Sequence, residues 1–349
     1  MLRFRNWMAL ILLTLISGVS ILLAPYASAA SNSSKLIQKA GSVCLQPPKN
    51  IDLLTLSDAQ LQSYGLPTHS IINTQPKTWA RFLSHGLLHT CGSYPDKKHS
   101  THALTIPNAI HCGGIPGDMC PNTIWAGNED VGSRGTYTQV TVEFKVPTIP
   151  TSPSNALVYI WAGVGGNNYV TPSAVLVQAG ILVEPNGSKQ YNESFWQVTP
   201  GYDSIQNLPL CYLYQGNTVF VSVASNSDGS GQDYFYMENE SAPYPCYNSY
   251  TTSNSQYFSD SATGECIVEK DSSGLLPLAN FGTEAMGIGT IYGCQVYDNR
   301  TYVTSCIGNF PHNYLQIYRD PNNLNTLLAN VGPITNGGCD YNVYWRGGS

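Results

Sequence analysis

Residues 136–147 read TYTQVTVEFKVP. In an extended chain Val140, Val142, Phe144 and Val146 point one way and Gln139, Thr141, Glu143 and Lys145 the other, the period-two pattern of a half-buried β-strand. Similar segments recur on both sides of it. NALVYIWAG (155–163) and AVLVQAGILV (174–183) are continuous apolar runs, and NTVFVSVASNS (217–227) alternates again before an Asp228-Gly229 turn. DYFYMEN (233–239), ECIVEK (265–270) and YLQIYRD (314–320) continue the series. Many short strands with few helical patterns predict an all-β chain folded as an antiparallel two-sheet sandwich or barrel. No internal repeat stands out.

Two of these runs carry polar residues where apolar ones are expected. Gln178 shares a strand face with Ala174, Leu176 and Leu182, and Glu265, Ile267 and Glu269 share a face of the segment GECIVEKDSSGLLPLANFG (264–282). A polar side chain in such a run is either hydrogen-bonded within the core or functional. A carboxylate that takes a proton from water, opposite an amide that donates to an oxyanion, suffices chemically for peptide hydrolysis. Neither a metal nor a nucleophilic side chain is required.

The chain has 349 residues, more than one domain normally needs. Arg3 and Arg5 precede an apolar stretch from Met8 to Leu23, and Ala27-Ser28-Ala29 has the small-residue pattern of a signal-peptidase site. Residues 1–29 are therefore expected to be a signal peptide, the protein to be secreted and extracellular, and its mature form to carry no membrane anchor. Ten cysteines behind an export signal fit an even set of disulfides. Cys112 with Cys120 and Cys294 with Cys306 are the pairings that short sequence separation suggests. No close pair of the kind that opens a zinc site occurs, so no metal or other cofactor is expected.

Charge divides the chain more clearly than any linker. Residues 30–121 hold seven Lys or Arg against four Asp or Glu, together with six of the seven histidines, whereas residues 122–349 hold seven against eighteen. Nucleic-acid binding is disfavoured, because it needs clustered basic residues. The first segment also differs locally. Ser57 followed by Gln60 in LSDAQLQSYGLP (56–67) is a capping-box pattern, TWARFLSHGLLHT (78–90) has helical spacing, and 91–121 is rich in Gly, Pro, Cys and His. We expect a basic, His-rich prosegment over 30–121 and a β-sandwich domain over 122–349.

W-A-G-V-G-G (161–166), L-V-Q-A-G-I (176–181), F-W-Q-V-T-P (195–200), and E-C-I-V-E (265–269) followed by L-P-L-A-N-F-G (276–282) resemble, in order and spacing, the successive motifs of the G1 glutamic peptidases, the eqolisins. The resemblance spans roughly residues 122–290, and Y-G-L-P in the leader is similar to prosegments of bacterial members. It implies a sandwich of two antiparallel sheets and a secreted endopeptidase acting at acidic pH. Carried over by motif, the catalytic pair falls on Gln178 and Glu269, with Glu265 the neighbouring glutamate of the same strand and Trp161 the active-site tryptophan. Gln197 stands where the family often has glutamate, and Gly165 and Leu182 stand where many members have aspartate. Peptide and protein substrates, a monomeric state, and inhibition by the chain's own prosegment until acid weakens its attraction to the acidic domain follow as expectations.

Two other readings are compatible with the residues. A non-catalytic sandwich could bind carbohydrate or protein on its many tyrosines and six tryptophans, in which case Gln178 and the glutamates would not meet. A plant-neprosin-like glutamic peptidase would use a second glutamate in place of Gln178.

Overall fold

The computed structural model describes residues 119–149, 156–166, 175–186, 189–199, 205–210, 213–225, 232–242, 246–252, 259, 261–271, 276–287 and 293–347, and a few short pieces before residue 119. Strands dominate the described residues. In chain order they are β1 (Ile37–Lys39), β2 (Ser42–Cys44), β3 (Met119–Asn122), β4 (Trp125–Val131), β5 (Tyr137–Lys145), β6 (Val158–Gly165) and β7 (Leu176–Asn186). There follow β8 (Lys189–Thr199), β9 (Gln206–Asn207), β10 (Thr218–Ser225), β11 (Asp233–Asn239), β12 (Tyr247–Thr251) and β13 (Thr263–Glu269). The last are β14 (Thr283–Met286), β15 (Gln295–Asp298), β16 (Val303–Cys306), β17 (His312–Tyr318), β18 (Leu327–Val331) and β19 (Tyr341–Trp345). β1 pairs with β2 in a hairpin.

The rest form two layers joined along one side. One layer runs β9-β8-β7-β6-β13-β4-β17, all antiparallel. The other runs β12-β11-β10-β5, with β15 and β14 following one another along the free edge of β5. β18 and β19 bridge from β17 to β14 and so connect the layers. One pairing departs from the antiparallel expectation: β3 lies parallel to β17.

The alternation read in 136–147 explains the core. Val140, Val142 and Phe144 of β5 meet Val158, Ile160, Ala162 and Val164 of β6, Val177, Ala179 and Ile181 of β7, and Val219, Val221 and Val223 of β10 in one buried cluster between the layers. At about 25 cal/mol per Å² of apolar surface, this interlayer burial is the main stabilising term. A second, smaller cluster occupies the opposite face of the first layer and contains Trp125, Tyr159, Trp161, Leu182, Phe195, Ile267 and Leu315. A sheet apolar on both faces explains why AVLVQAGILV and NALVYIWAG read as continuous runs rather than alternating ones.

One of the two disulfide pairings suggested by short separation is not formed. Cys294 bonds Cys266 and Cys306 bonds Cys339, so Cys294 and Cys306 are not partners. Separation along the chain is a poor guide here because β13 and β15 meet through opposing layers. Cys120 and Cys246 are also disulfide-bonded, while Cys112 lies outside the described residues. The capping box is present: Ser57 N donates to Gln60 Oε1 at 2.9 Å and Gln60 N to Ser57 Oγ at 3.3 Å. The predicted helix over 78–90 and the signal peptide lie outside the described residues. No helix among the described residues is long and apolar enough to cross a membrane.

Candidate active site

Strand register places the polar residues of the second face. Gln178 of β7 stands opposite Gln197 of β8 on one side and Gly163 of β6 on the other. Gly163 in turn stands opposite Glu265 of β13, and Glu265 opposite Glu129 of β4, which faces Asn313 of β17. Directly paired residues of a sheet share a face, so Gln197, Gln178, Gly163, Glu265, Glu129 and Asn313 form one row across six strands. Gln178 and Glu265 flank a residue with no side chain, their Cα atoms about 10 Å apart at two strand spacings. That separation leaves room for a reacting group between an amide and a carboxyl.

Glu269 falls elsewhere. It pairs with Tyr159 and Trp125, four residues and about 13 Å along β13 from the row of Gln178. The Trp161 indole Nε1–H donates to Glu269 Oε2 at 2.6 Å, and Trp125 packs edge-on against Trp161 with ring centroids 5.1 Å apart. Burial in this aromatic nest pushes the Glu269 carboxyl well above the ordinary carboxylate range, with the Trp161 hydrogen bond pulling the other way.

The same indole links the two glutamates. Its far edge lies over the gap in the row, for a Cβ added at Gly163 would come within 2.7 Å of Trp161 Cζ3. Gly180, opposite Trp161, provides the matching space on β7, where an added Cβ would meet the Trp161 backbone and Cβ at about 2.5 Å. Glycines at 163 and 180 thus let a tryptophan lie flat on a crowded sheet between Gln178 and Glu265.

Hydrogen bonds orient the row. Gln178 Nε2 donates to Gln197 Oε1 at 3.1 Å, which commits one of the two amide N–H groups and leaves the other for a ligand. Gln178 Oε1 and Gln197 Nε2 are buried without a protein partner. Thr263 Oγ1 donates to Glu265 Oε1 at 3.2 Å. Gln178, Gln197, Glu265 and Glu129 are all wholly buried in the full-length chain. The glycine that replaces the family's aspartate at 165 has a local cause. Its φ is +82°, and an added Cβ would lie 2.0 Å from Ser259 Oγ. Leu182, the other replacement, belongs to the apolar cluster around Tyr159. Among the described residues no group of His, Cys, Asp and Glu is arranged to hold a metal ion.

The sequence reading overlooked Glu129. Its strand, WAGNEDV, carries Asn, Glu and Asp in succession, residues depleted from strands, and no alternation marks it. One signal was available: Trp125-Ala126-Gly127 repeats Trp161-Ala162-Gly163, and the two tripeptides lie on the two strands that flank β13.

Several solved structures are similar to this chain. Scytalido-glutamic peptidase, solved with a peptide-based transition-state analogue, is 16% identical and covers 64% of this chain and 98% of its own, with a TM-score of 0.49. SCP-B, an eqolisin solved with the tripeptide Ala-Ile-His, is 16% identical over 64% of this chain and 98% of its own at a TM-score of 0.48. Aspergilloglutamic peptidase from Aspergillus niger is 15% identical over 55% of this chain and 99% of its own at 0.42. No curated protein matches the chain by sequence. A model of the peptidase A4 family matches residues 123–289, which hold Gln178, Gln197, Trp161 and both β13 glutamates. Residues 123–289, which carry the row, thus match the peptidase A4 family of glutamic peptidases, the eqolisins.

Proposed function

We propose that the protein is a secreted, acid-acting endopeptidase in which Glu269 is the general base and acid and Gln178 the oxyanion donor. The match of residues 123–289 to the peptidase A4 family supports a glutamic-type peptidase acting on peptide bonds. The observation that supports the residue assignment is the register: Glu269 and Gln178 lie on one face of the same sheet, with the Trp161 indole hydrogen-bonded to Glu269 and covering Gly163 beside Gln178. Glu265, across Gly163 from Gln178, is the neighbouring glutamate of the same strand. In this reading Glu269 takes a proton from water, the oxygen attacks the scissile carbonyl, and the uncommitted N–H of Gln178 stabilises the resulting oxyanion. Glu269 then returns the proton to the leaving nitrogen. Gln197 fixes the Gln178 amide so that its donor, and not its oxygen, faces the reaction.

The row also argues against a purely binding module, in which the amide and the carboxyl would have no reason to share a face. The chain is further read as a latent precursor with residues 30–121 as inhibitor. The basic balance of that segment against the acidic domain motivates release on acidification. The activating cut is placed between Cys112 and Asp130.

Acid-pH assays on a protein substrate test the assignment. Glu269→Gln should lower kcat by about 10²- to 10⁴-fold, and Gln178→Ala by about 10²- to 10³-fold. Glu265→Gln should lose less than Glu269→Gln. Full activity in Glu269→Gln with loss in Glu265→Gln would move the base to Glu265. A precursor that stays full-length and inactive throughout an acid titration would remove the zymogen reading.

A further inference from the structure

Two tripeptides of the same sequence flank β13. Trp125-Ala126-Gly127 lies on β4 and Trp161-Ala162-Gly163 on β6, each with its tryptophan on the face that carries Glu269 and its alanine in the core between the layers. Trp161 has a polar partner, since its Nε1–H donates to Glu269 Oε2 at 2.6 Å. Trp125 is the direct register partner of Glu269, whereas Trp161 pairs with Ile267. The Trp125 Nε1 nevertheless has no hydrogen-bond partner, and neither has Glu269 Oε1, although both side chains are buried. Side chains paired across adjacent strands have Cβ atoms about 5 Å apart, so an unpartnered donor stands beside an unpartnered acceptor. Left apart, each carries a desolvation cost that a bond between them removes.

We propose that Trp125 is a second indole donor to Glu269: with Trp161 on Oε2 and Trp125 on Oε1, the two tryptophans form a clamp that holds the base ionised and fixes its orientation. This rests on the reading of Glu269 as the base. A protonated Oε1 and the indole N–H are both donors and do not bond, whereas an ionised Oε1 accepts. Ionisation releases the carboxyl proton to solvent and lets Trp125 close. Each carboxylate oxygen keeps a further lone pair, so Oε1 can still take the proton of the attacking water. Trp125 then lets go until that proton leaves with the amine. Trp125 acts through Glu269 and touches no reacting atom, which makes it a positioning residue. Its backbone is held in place, for Asn122 Nδ2 donates to Trp125 O at 2.8 Å and Trp125 N donates to Asn122 Oδ1 at 2.6 Å.

The groups around Glu269 give a second donor its importance. Burial favours the protonated carboxyl, the Trp161 hydrogen bond opposes it, and the Asp271 carboxyl adds to the burial effect. The Trp125 indole already pulls in the same sense as Trp161 from its place beside the carboxyl, without reaching hydrogen-bond geometry. Of the other charged groups, Lys270 interacts with Asp271 and Arg319, and Glu265 lies two pleat repeats along β13 beside Thr263. β6 presents Tyr159, whose ring packs edge-on against Phe195 with centroids 5.8 Å apart, and β7 presents Leu182 beyond it.

Infrared difference titration of the full-length chain tests the clamp, because the C=O stretch of a protonated carboxyl disappears on ionisation and the Glu269 band is the one missing from Glu269→Gln. Trp125→Phe keeps an aromatic ring and removes the donor, so the midpoint of that band should move up by about one pH unit, tenfold in the protonation equilibrium. Trp161→Phe should move it in the same direction. An unmoved midpoint in Trp125→Phe would overturn the proposal, and so would a wild-type Glu269 band that fails to titrate while circular dichroism shows folded protein. Should Trp125→Phe not fold, benzothienylalanine at position 125, which keeps both rings and carries sulfur in place of the N–H, must give the same shift, and an unmoved midpoint there overturns the proposal. The acid limb of kcat/KM on one peptide substrate should follow the infrared midpoint in each variant. Retained activity in Glu269→Gln would remove the reading of Glu269 as base and the proposal with it, whereas an inactive Glu269→Gln with an unmoved midpoint in Trp125→Phe removes only the clamp.

Discussion

Trp161 connects what each neighbouring residue does. Its nitrogen edge is held by Glu269 and its carbon edge covers Gly163. Gly163→Ala should therefore act at the site rather than on the strand, because the new methyl group would lie 2.7 Å from Cζ3 unless the ring moved. Overpacking of this kind costs about 1–3 kcal/mol, measurable as a lowered urea midpoint, and it should be accompanied by reduced kcat/KM. Trp161→Phe keeps an aromatic ring but removes the donor, leaving the buried Glu269 carboxyl without its 2.6 Å partner. A loss of about 1–3 kcal/mol is expected, together with weaker catalysis. Unaltered activity in Trp161→Phe would show that the indole only fills space.

β13 is the element on which the site depends, since it carries Glu265 and Glu269 on one face and Cys266 and Val268 on the other. The Cys266–Cys294 disulfide ties this strand, three residues from the proposed base, to the start of β15 in the second layer. Its loop of 28 residues implies about 3–4 kcal/mol of stabilisation by chain entropy. The Cys266→Ala/Cys294→Ala protein should lose about that much in chemical denaturation. Its activity should fall more steeply with temperature than that of a Cys306→Ala/Cys339→Ala protein, whose bridge lies away from the row.

At the scale of the whole molecule, burial raises the carboxyls of four described residues. Asp130, Glu269 and Glu284 are pushed well above the usual carboxylate range, and Asp233 is raised to about 7 against the opposing hydrogen bond from Ser225. A raised carboxyl binds its proton more tightly in the folded than in the unfolded chain. Stability from these groups is therefore complete below about pH 4, where both states are protonated, and is lost as pH rises through the folded values. Asp298, raised by burial but lowered further by the backbone and side chain of Arg300, works in the opposite sense only below that window. Urea midpoints should accordingly be highest near pH 4 and fall toward pH 8. Asp233→Asn should remove part of the decline between pH 4 and 7, and a midpoint that rises with pH in wild type would contradict this. A fold strengthened by acid matches a peptidase proposed to work there.

Much of this was legible along the chain. Alternation in 136–147 and the apolar runs located β5, β6, β7, β10, β11, β13 and β17, because a strand's faces are set by period-two chemistry that needs no knowledge of its neighbours. Motif order brought Gln178, Trp161, Gln197, Glu265 and Glu269 into consideration together. Which glutamate stands across from Gln178 could not be read there, since Glu265 and Glu269 share a face and differ only in register against β6. Glu129 was hidden for a related reason: its strand is polar on both faces, and its place beside Glu265 comes from pairing with β13, more than 130 residues later. Sequence by itself determined the fold class, the family and the kit of side chains, all of which depend on local pattern. Tertiary structure decided which members of that kit meet, because hydrogen-bonded register aligns residues from distant parts of the chain and a shift of four residues moves a carboxyl about 13 Å.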